Sequence, residues 1–277
     1  MKRFTKALAL LLALALCAGL CACGTTAPTD PKEPAEPSEP ADAKTFTVGF
    51  DAEFPPFGFI DENGGYDGFD LALAQEVCNR LGWTFVAQPI AWDAKDAELA
   101  AGNIDCIWNG FTYQGREDNY TWSDAYYDNS IVMVVRADSG IASLADLAGK
   151  NVIVQADSSA LNALENDETG LTESFAQLLE CADYNSAFME LEMGTADAVA
   201  VDVGVAAYNM KDRTDFVILD EPISSETYAV GFLKGNDELA AAVNEQLKAM
   251  AEDGTMSKIA ENYVDYGLVT ESLCMVG

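Results

Sequence analysis

The chain has 277 residues, with 15 Lys and Arg against 46 Asp and Glu, and no histidine. A net charge of −31 disfavours nucleic acid and anionic lipid as partners. The missing histidine removes histidine-based general-base catalysis and His-ligated metal sites.

Lys2, Arg3 and Lys6 make a basic start, and residues 7–22 are almost entirely Ala and Leu. That apolar run is shorter than the roughly 20 residues a membrane-spanning helix needs, and it fits a secretory signal peptide over 1–22. Leu20-Cys21-Ala22-Cys23-Gly24 resembles a bacterial lipobox, which makes Cys23 the expected lipidated first residue of the mature chain. Loss of Lys2, Arg3 and Lys6 with the leader takes the net charge from −31 to −34. Pro28, Pro31, Pro34, Pro37 and Pro40 follow at every third position, among Glu, Asp, Ala and Ser. Such a stretch has no apolar surface to bury and favours extended polyproline II, so 23–44 reads as a tether.

From about residue 46 the composition becomes globular. Residues 46–50 alternate as a strand, and 51–59 (DAEFPPFGF) reads as an irregular loop because two prolines remove donors. A turn at 62–65 precedes a helix that Asp70 can cap, with Leu73, Val77 and Leu81 on its buried stripe and Gly82 ending it. Residues 84–89 read as a strand, 96–101 as a helix and 105–108 as a strand, a β–α alternation that argues a mostly parallel sheet. The alternation then starts afresh. Strands are expected at 130–136, 151–154 and 198–202, helices at 171–179, 186–193 and 203–210, a capped turn at 143–147 and a further helix after 160. A late strand at 228–233 and helices at 237–252 and 255–263 complete the chain. Two α/β lobes follow from this pattern.

Cys78, Cys106, Cys181 and Cys274 have wide spacings that match no metal motif. One disulfide and four free thiols are both compatible with them. No metal or cofactor is expected.

Ligands of open α/β sheets sit beyond the carboxyl ends of the strands. Asp51, Asn109 and Gly110, residues 156–159 and Asp202 all fall at such ends, two segments from each lobe. Arg116 is one of few cations in an acidic chain and follows a small-residue turn. A guanidinium there can hold a carboxylate through two parallel hydrogen bonds, or can pair with Glu117 or Asp118 as an ordinary surface arginine.

The order of these segments resembles the amino-acid-type (family 3) extracellular solute-binding proteins of ABC importers, over about 45–265. The matching pieces are 51–59, GFDLALA at 68–74, AELAAGNID at 97–105, the run 109–127, GTADAVAVD at 194–202 and Asp253-Gly254-Thr255. The resemblance implies an α/β, two-lobed type II periplasmic-binding-protein fold. Each lobe would be a mostly parallel sheet flanked by helices, joined by two crossover hinge strands near Asp128-Asn129 and Glu226-Thr227. Lobe 1 would take 45–128 plus 227–277, and lobe 2 would take 129–226.

The resemblance also implies roles. Arg116 would bind a ligand α-carboxylate with Thr112, and Ser158 and Ser159 would add donors at a helix start. The Gly110 carbonyl and the Asp202 carboxylate would take the α-ammonium, and Phe54 and Trp92 would sandwich the ligand. Asp157 stands where the family usually has glycine. The family spacing Thr-x-x-x-Glu-Arg is here one residue shorter, Thr112 to Arg116, which leaves the role of Gln114 open. Asp51 and Glu53, at the side-chain end, would disfavour acidic ligands and suit a cationic or polar one, although Glu53 can also cap a local turn.

The expected partners are a free amino acid, an ABC permease and the membrane through the lipid, with no nucleic acid, and the protein is expected to be a monomer at the outer face of the cytoplasmic membrane. A dehydratase-like enzyme on the same scaffold is the first alternative, but Glu53 is its only candidate acid, and no histidine or cleft lysine supports it. A ligand-sensing module is the second.

Overall fold

The structure, a computed structural model, describes residues 43–276. The expected leader, Cys23 and all but the last two residues of the tether lie outside them.

The chain opens with β1 (Thr45–Phe50), β2 (Glu53–Phe54), β3 (Gly58–Ile60), β4 (Tyr66–Asp67), α1 (Phe69–Leu81) and β5 (Thr84–Pro89). Next come α2 (Lys95–Ala101), β6 (Cys106–Ile107), β7 (Tyr120–Trp122) and the long β8 (Tyr127–Arg136). A second run comprises β9 (Asn151–Gln155), α3 (Ser159–Glu165), α4 (Leu171–Ser174), β10 (Gln177–Cys181), α5 (Tyr184–Met193), β11 (Ala198–Asp202) and α6 (Val203–Asn209). The chain closes with β12 (Phe216–Ile218), β13 (Ser224–Tyr228), β14 (Gly231–Leu233), α7 (Asp237–Glu252) and α8 (Thr255–Glu261).

Two large sheets result. The first has the order β5-β1-β6-β14-β7, and the second β10-β9-β11-β8-β12 with β13 also paired to β8. In each, the β–α repeats supply parallel ladders, β1 with β5 and β6, and β9 with β10 and β11. Antiparallel strands complete both sheets. The chain passes from one sheet to the other between β7 and β8 and again between β13 and β14. At this crossing β8 and β13 run antiparallel, with Asp128 opposite Thr227 and Asn129 opposite Glu226.

Side chains of β8 alternate between two cores, as period two requires. Ile131, Met133 and Val135 join Val152, Val154 and Leu161, whereas Val132 and Val134 join Val199, Val201 and Phe188. Helices therefore cover both faces of the second sheet, which accounts for its near-continuous apolar strands. In the first sheet Phe46, Val48 and Phe50 pack with Leu73 and Val77 of α1 and with Val243, Leu247 and Met250 of α7. Leu247 is fully buried, so Leu247→Ala would cost about 2–5 kcal/mol.

Several expectations change. The loop 51–59 contains β2 and the start of β3, which with β4 form a small antiparallel sheet. Asp70 does not cap α1, whose N-cap is Gly68. Its buried carboxylate instead accepts from the Gly110 N–H at 2.6 Å and the Tyr126 hydroxyl at 2.7 Å. The helix at 171–179 stops at Ser174, because 177–181 pairs in parallel with β9 at the sheet edge. The late strand at 228–233 is two strands, β13 on the second sheet and β14 on the first. All four cysteines among the described residues are free thiols, Cys78 and Cys106 within the core.

Candidate functional site

Eight of the singled-out residues border one cavity between the two sheets. Phe54, Trp92, Gly110, Thr112 and Arg116 come from the first-sheet side, and Ser158, Ser159 and Asp202 from the second, with Gln155 beside them. The cavity measures about 10 Å³, room for about one water, so a larger molecule enters only when the two sides part.

Local structure aims each side chain. Gly110 sits at φ +54°, and a Cβ there would meet Phe54 Cε1 at 2.7 Å and the Tyr228 ring at 3.1 Å. The Asp70 carboxylate on its N–H holds this turn in place. Phe54 lies 5.9 Å from the Tyr184 ring, and Trp92 meets Phe111 edge-on at 5.7 Å. Asp202 ends β11, and its side chain makes no cap bond to α6. Ser158 caps α3 by accepting the Leu161 N–H at 3.1 Å.

The shortened loop before Arg116 is fastened to β13. Thr112 bridges to Tyr228, the Tyr113 N–H donates to the Thr227 carbonyl, and Gln114 both accepts the Thr227 N–H at 2.8 Å and donates to its hydroxyl at 3.0 Å. Gln114 thus has a definite role, and Gly115 makes the turn with φ +78°. Arg116 pairs with neither Glu117 nor Asp118. It donates to the carbonyls of Thr112 at 3.4 Å and Asp157 at 3.3 Å, and makes no ion pair among the described residues.

Asp51 and Glu53 do not border this cavity. The buried Asp51 carboxylate accepts from Gln155 Nε2 at 2.6 Å and from the Glu53 N–H at 2.9 Å. Glu53 accepts from Asn185 Nδ2 at 3.0 Å. Both bonds to amide side chains cross from the first sheet's side to the second's. Burial raises the Asp51 carboxyl, and burial followed by the neighbouring Asp183 raises that of Glu53.

Besides Gln155, four residues around the site are not marked for ligand binding by the sequence. The sequence places Glu226 only at a crossing; its buried Oε1 accepts from Thr112 Oγ1 at 2.8 Å, Asn129 Nδ2 at 2.9 Å and Ser159 Oγ at 3.2 Å. Asn129 Nδ2 also donates to Asp202 Oδ1 at 2.8 Å, and the Tyr228 hydroxyl donates to the same oxygen at 2.5 Å. Burial first, and then the Glu226 charge, push the Asp202 carboxyl up to about 8. Burial also raises Glu226, against the pull of its three donors and of Arg116. Glu226 and Tyr228 alternate with the more open Ser225 and Thr227, and that period of two was the available signal.

The fourth is Lys95, and it corrects the expectation of no cleft lysine. Only 1% of its side chain is exposed, and it pairs with Asp157 in the adjoining pocket that Arg116 and Ser158 also line. Burial lowers its pKa against the pull of that carboxylate. Asp157 sits at φ +57°, which explains why glycine suits the position and why Asp, tolerant of the left-handed region, can replace it.

The arrangement can hold a zwitterion: a guanidinium with hydroxyl donors faces a buried carboxylate, between two aromatic rings.

A family model described as bacterial extracellular solute-binding proteins, family 3, matches residues 46–266. The L-cystine-binding protein TcyJ of Escherichia coli K12 is 28% identical over 224 residues, covering 79% of this chain and 82% of TcyJ. A crystal structure of an ABC uptake transporter substrate-binding protein from Streptococcus pneumoniae with bound histidine superposes with a TM-score of 0.78 and 31% identity, covering 82% of this chain and 94% of that one. An ancestral arginine-binding protein bound to glutamine gives 0.74 and 34%, covering 81% and 99%.

Proposed function

Since the chain belongs to the family 3 bacterial extracellular solute-binding proteins, the amino-acid-binding components of ABC transporters, we propose that it captures a polar or cationic amino acid between two closing lobes. The lobes are 45–128 plus 227–277 and 129–226, turning on β8 and β13. One observation carries the reading. Arg116 and Asp202, a guanidinium and a carboxyl group, border one cavity from opposite sheets, and neither makes an ion pair among the described residues. The carboxylate of the ligand takes Arg116, Thr112 and Ser159, and its ammonium takes Asp202 and the Gly110 carbonyl. Phe54 and Trp92 pack on its side chain. Asp51 reaches the cavity through Gln155, and with Glu53 it adds negative charge at that end, which favours a polar or cationic end group, in keeping with relatives named for cystine, histidine and arginine.

Closure presents the loaded, monomeric protein to its permease. Cys23 carries a lipid that keeps the protein at the outer face of the cytoplasmic membrane. Glu53 is not placed to serve as the acid of the dehydratase alternative, because it stands outside the cavity and is bonded to Asn185.

A thermal-shift screen against the twenty amino acids, cystine, ornithine and citrulline, with calorimetry on each hit, tests the ligand class. A rise with one polar or cationic amino acid is expected, and no rise with any of them would defeat the reading. Cys23→Ser is expected to move the protein from the membrane fraction to the medium; continued attachment would remove the lipid assignment.

A further inference from the structure

Asp202 and Glu226 are two buried carboxylates bridged by a single amide nitrogen, Asn129 Nδ2, which donates to Asp202 Oδ1 at 2.8 Å and to Glu226 Oε1 at 2.9 Å. Neither has a cation within ion-pair distance among the described residues. The charged and titratable groups facing the pair are Arg116 from the loop after β6, Tyr184 from α5, and Tyr228 from β13 with Tyr127 of β8 behind it. Lys95, a buried cation nearby, is taken by Asp157. Arg116 is therefore the one guanidinium set against two carboxylates. Two ionised carboxylates so placed repel each other in a poorly solvated site, and sharing a proton relieves the repulsion. The pair is also fastened on both sides of the cavity, since Thr112 and Ser159 donate to the same Glu226 oxygen from opposite sheets.

We propose that Glu226 is a ligand-binding residue, the second carboxylate of the ammonium subsite, and that it and Asp202 exchange a shared proton for the ammonium of the ligand. This rests on the amino-acid reading above. On binding, the ligand's N–H bonds stay intact and the proton of the pair passes to water. The ligand's carboxylate takes over the Thr112 and Ser159 hydroxyls, and Glu226 turns to the ammonium. The high Asp202 value, near 8, agrees with a proton retained at neutral pH.

Whichever of L-arginine, L-glutamine and L-cystine raises the melting temperature most serves as the probe. None carries a side chain that titrates between about pH 5.5 and 7.5. Calorimetry in buffers of different ionisation enthalpy is expected to count roughly one proton released per ligand near neutral pH, with affinity rising toward tenfold per pH unit. In Glu226→Gln, affinity falls at least about fivefold at pH 7.5 and the slope drops below about twofold per unit. No proton release by the wild type, or an unchanged affinity and slope in the variant, overturns the proposal.

A measurement without ligand separates this from the amino-acid reading. A carboxyl raised in the fold lends stability that is full below the unfolded carboxylate range and is lost as pH rises through the folded value. The wild type thus loses more stability than Glu226→Gln between about pH 5 and 8. The variant's melting temperature relative to wild type is expected to rise by at least about 3 °C over that range. A constant difference overturns the shared proton even if every amino acid fails to bind; failure to bind with a rising difference overturns the ligand assignment instead.

Discussion

The cleft holds acids at two places, and they meet burial in different ways. At the inner end Asp202 and Glu226 share the Asn129 amide, draw hydroxyls from Tyr228, Thr112 and Ser159, and face Arg116. At the outer end Asp51 and Glu53 each take an amide side chain from the opposite sheet, Gln155 and Asn185, while Asp183 caps α5. The inner acids are set beside a cation with no ion pair of its own, an arrangement fitted to a molecule carrying both charges. The outer acids work across the gap through neutral amides and so join the two sides. In the proposed function one residue type thus meets the charges of the ligand backbone at one end, and at the other meets its end group while joining the two sides.

Breaking the inner end has the largest expected effect. Arg116→Ala and Asp202→Ala each remove a charge-assisted contact of about 1.5–3 kcal/mol, so each weakens amino-acid binding at least about tenfold in calorimetry. Unchanged affinity in either variant, with the fold intact, would sink the zwitterion clamp. At the outer end, Gln155→Ala deprives the buried Asp51 carboxylate of its donor from the opposite side. A loss of about three- to tenfold is expected, with X-ray scattering showing a larger fraction of open molecules. If Gln155→Ala matched Arg116→Ala in its effect, the division of labour between the two ends would fail.

The smallest effect sharpens the comparison through pH. Glu53 is raised by burial and by Asp183, so the stability it lends is present at acid pH and lost as pH rises through its folded value. Glu53→Gln should therefore melt slightly higher than wild type near pH 8 and equal it near pH 5. Because Glu53 is partly exposed, the difference should stay within about 2 °C. A larger difference near pH 5 would reverse the sign and discard the Glu53–Asp183 account.

Arg116 and Asp202 were legible because each follows from a local rule. A scarce cation after a small-residue turn and an acid at the end of an apolar strand both point at a cleft. The cavity brings these two together with Phe54, Trp92 and both serines. Glu226 was not legible by such rules, because its burial depends on β13 pairing with β8 in one register, which puts it opposite Asn129. Reading 228–233 as a single strand hid that register, since the chain changes sheets at Ala229 and Val230. Lys95 was hidden for a related reason. A lysine at the start of a helix usually faces water, and here the partner that buries it, Asp157, lies 62 positions away. The second half of the helix expected at 171–179 shows the same limit. Its apolar residues suit either structure, and only the neighbouring β9 decides for a strand.

Gln114 holds Thr227 by both its amide groups, and neither residue borders the cavity. The loop that carries Arg116 is thereby indexed to the strand on which the lobes would turn. A change at this outer clip would reset where the guanidinium stands without altering any atom that meets the ligand. Affinity can then be tuned from the outside. A fluorophore attached beside Gln114 would report lobe movement as light, giving an optical sensor whose binding pocket is left as it is.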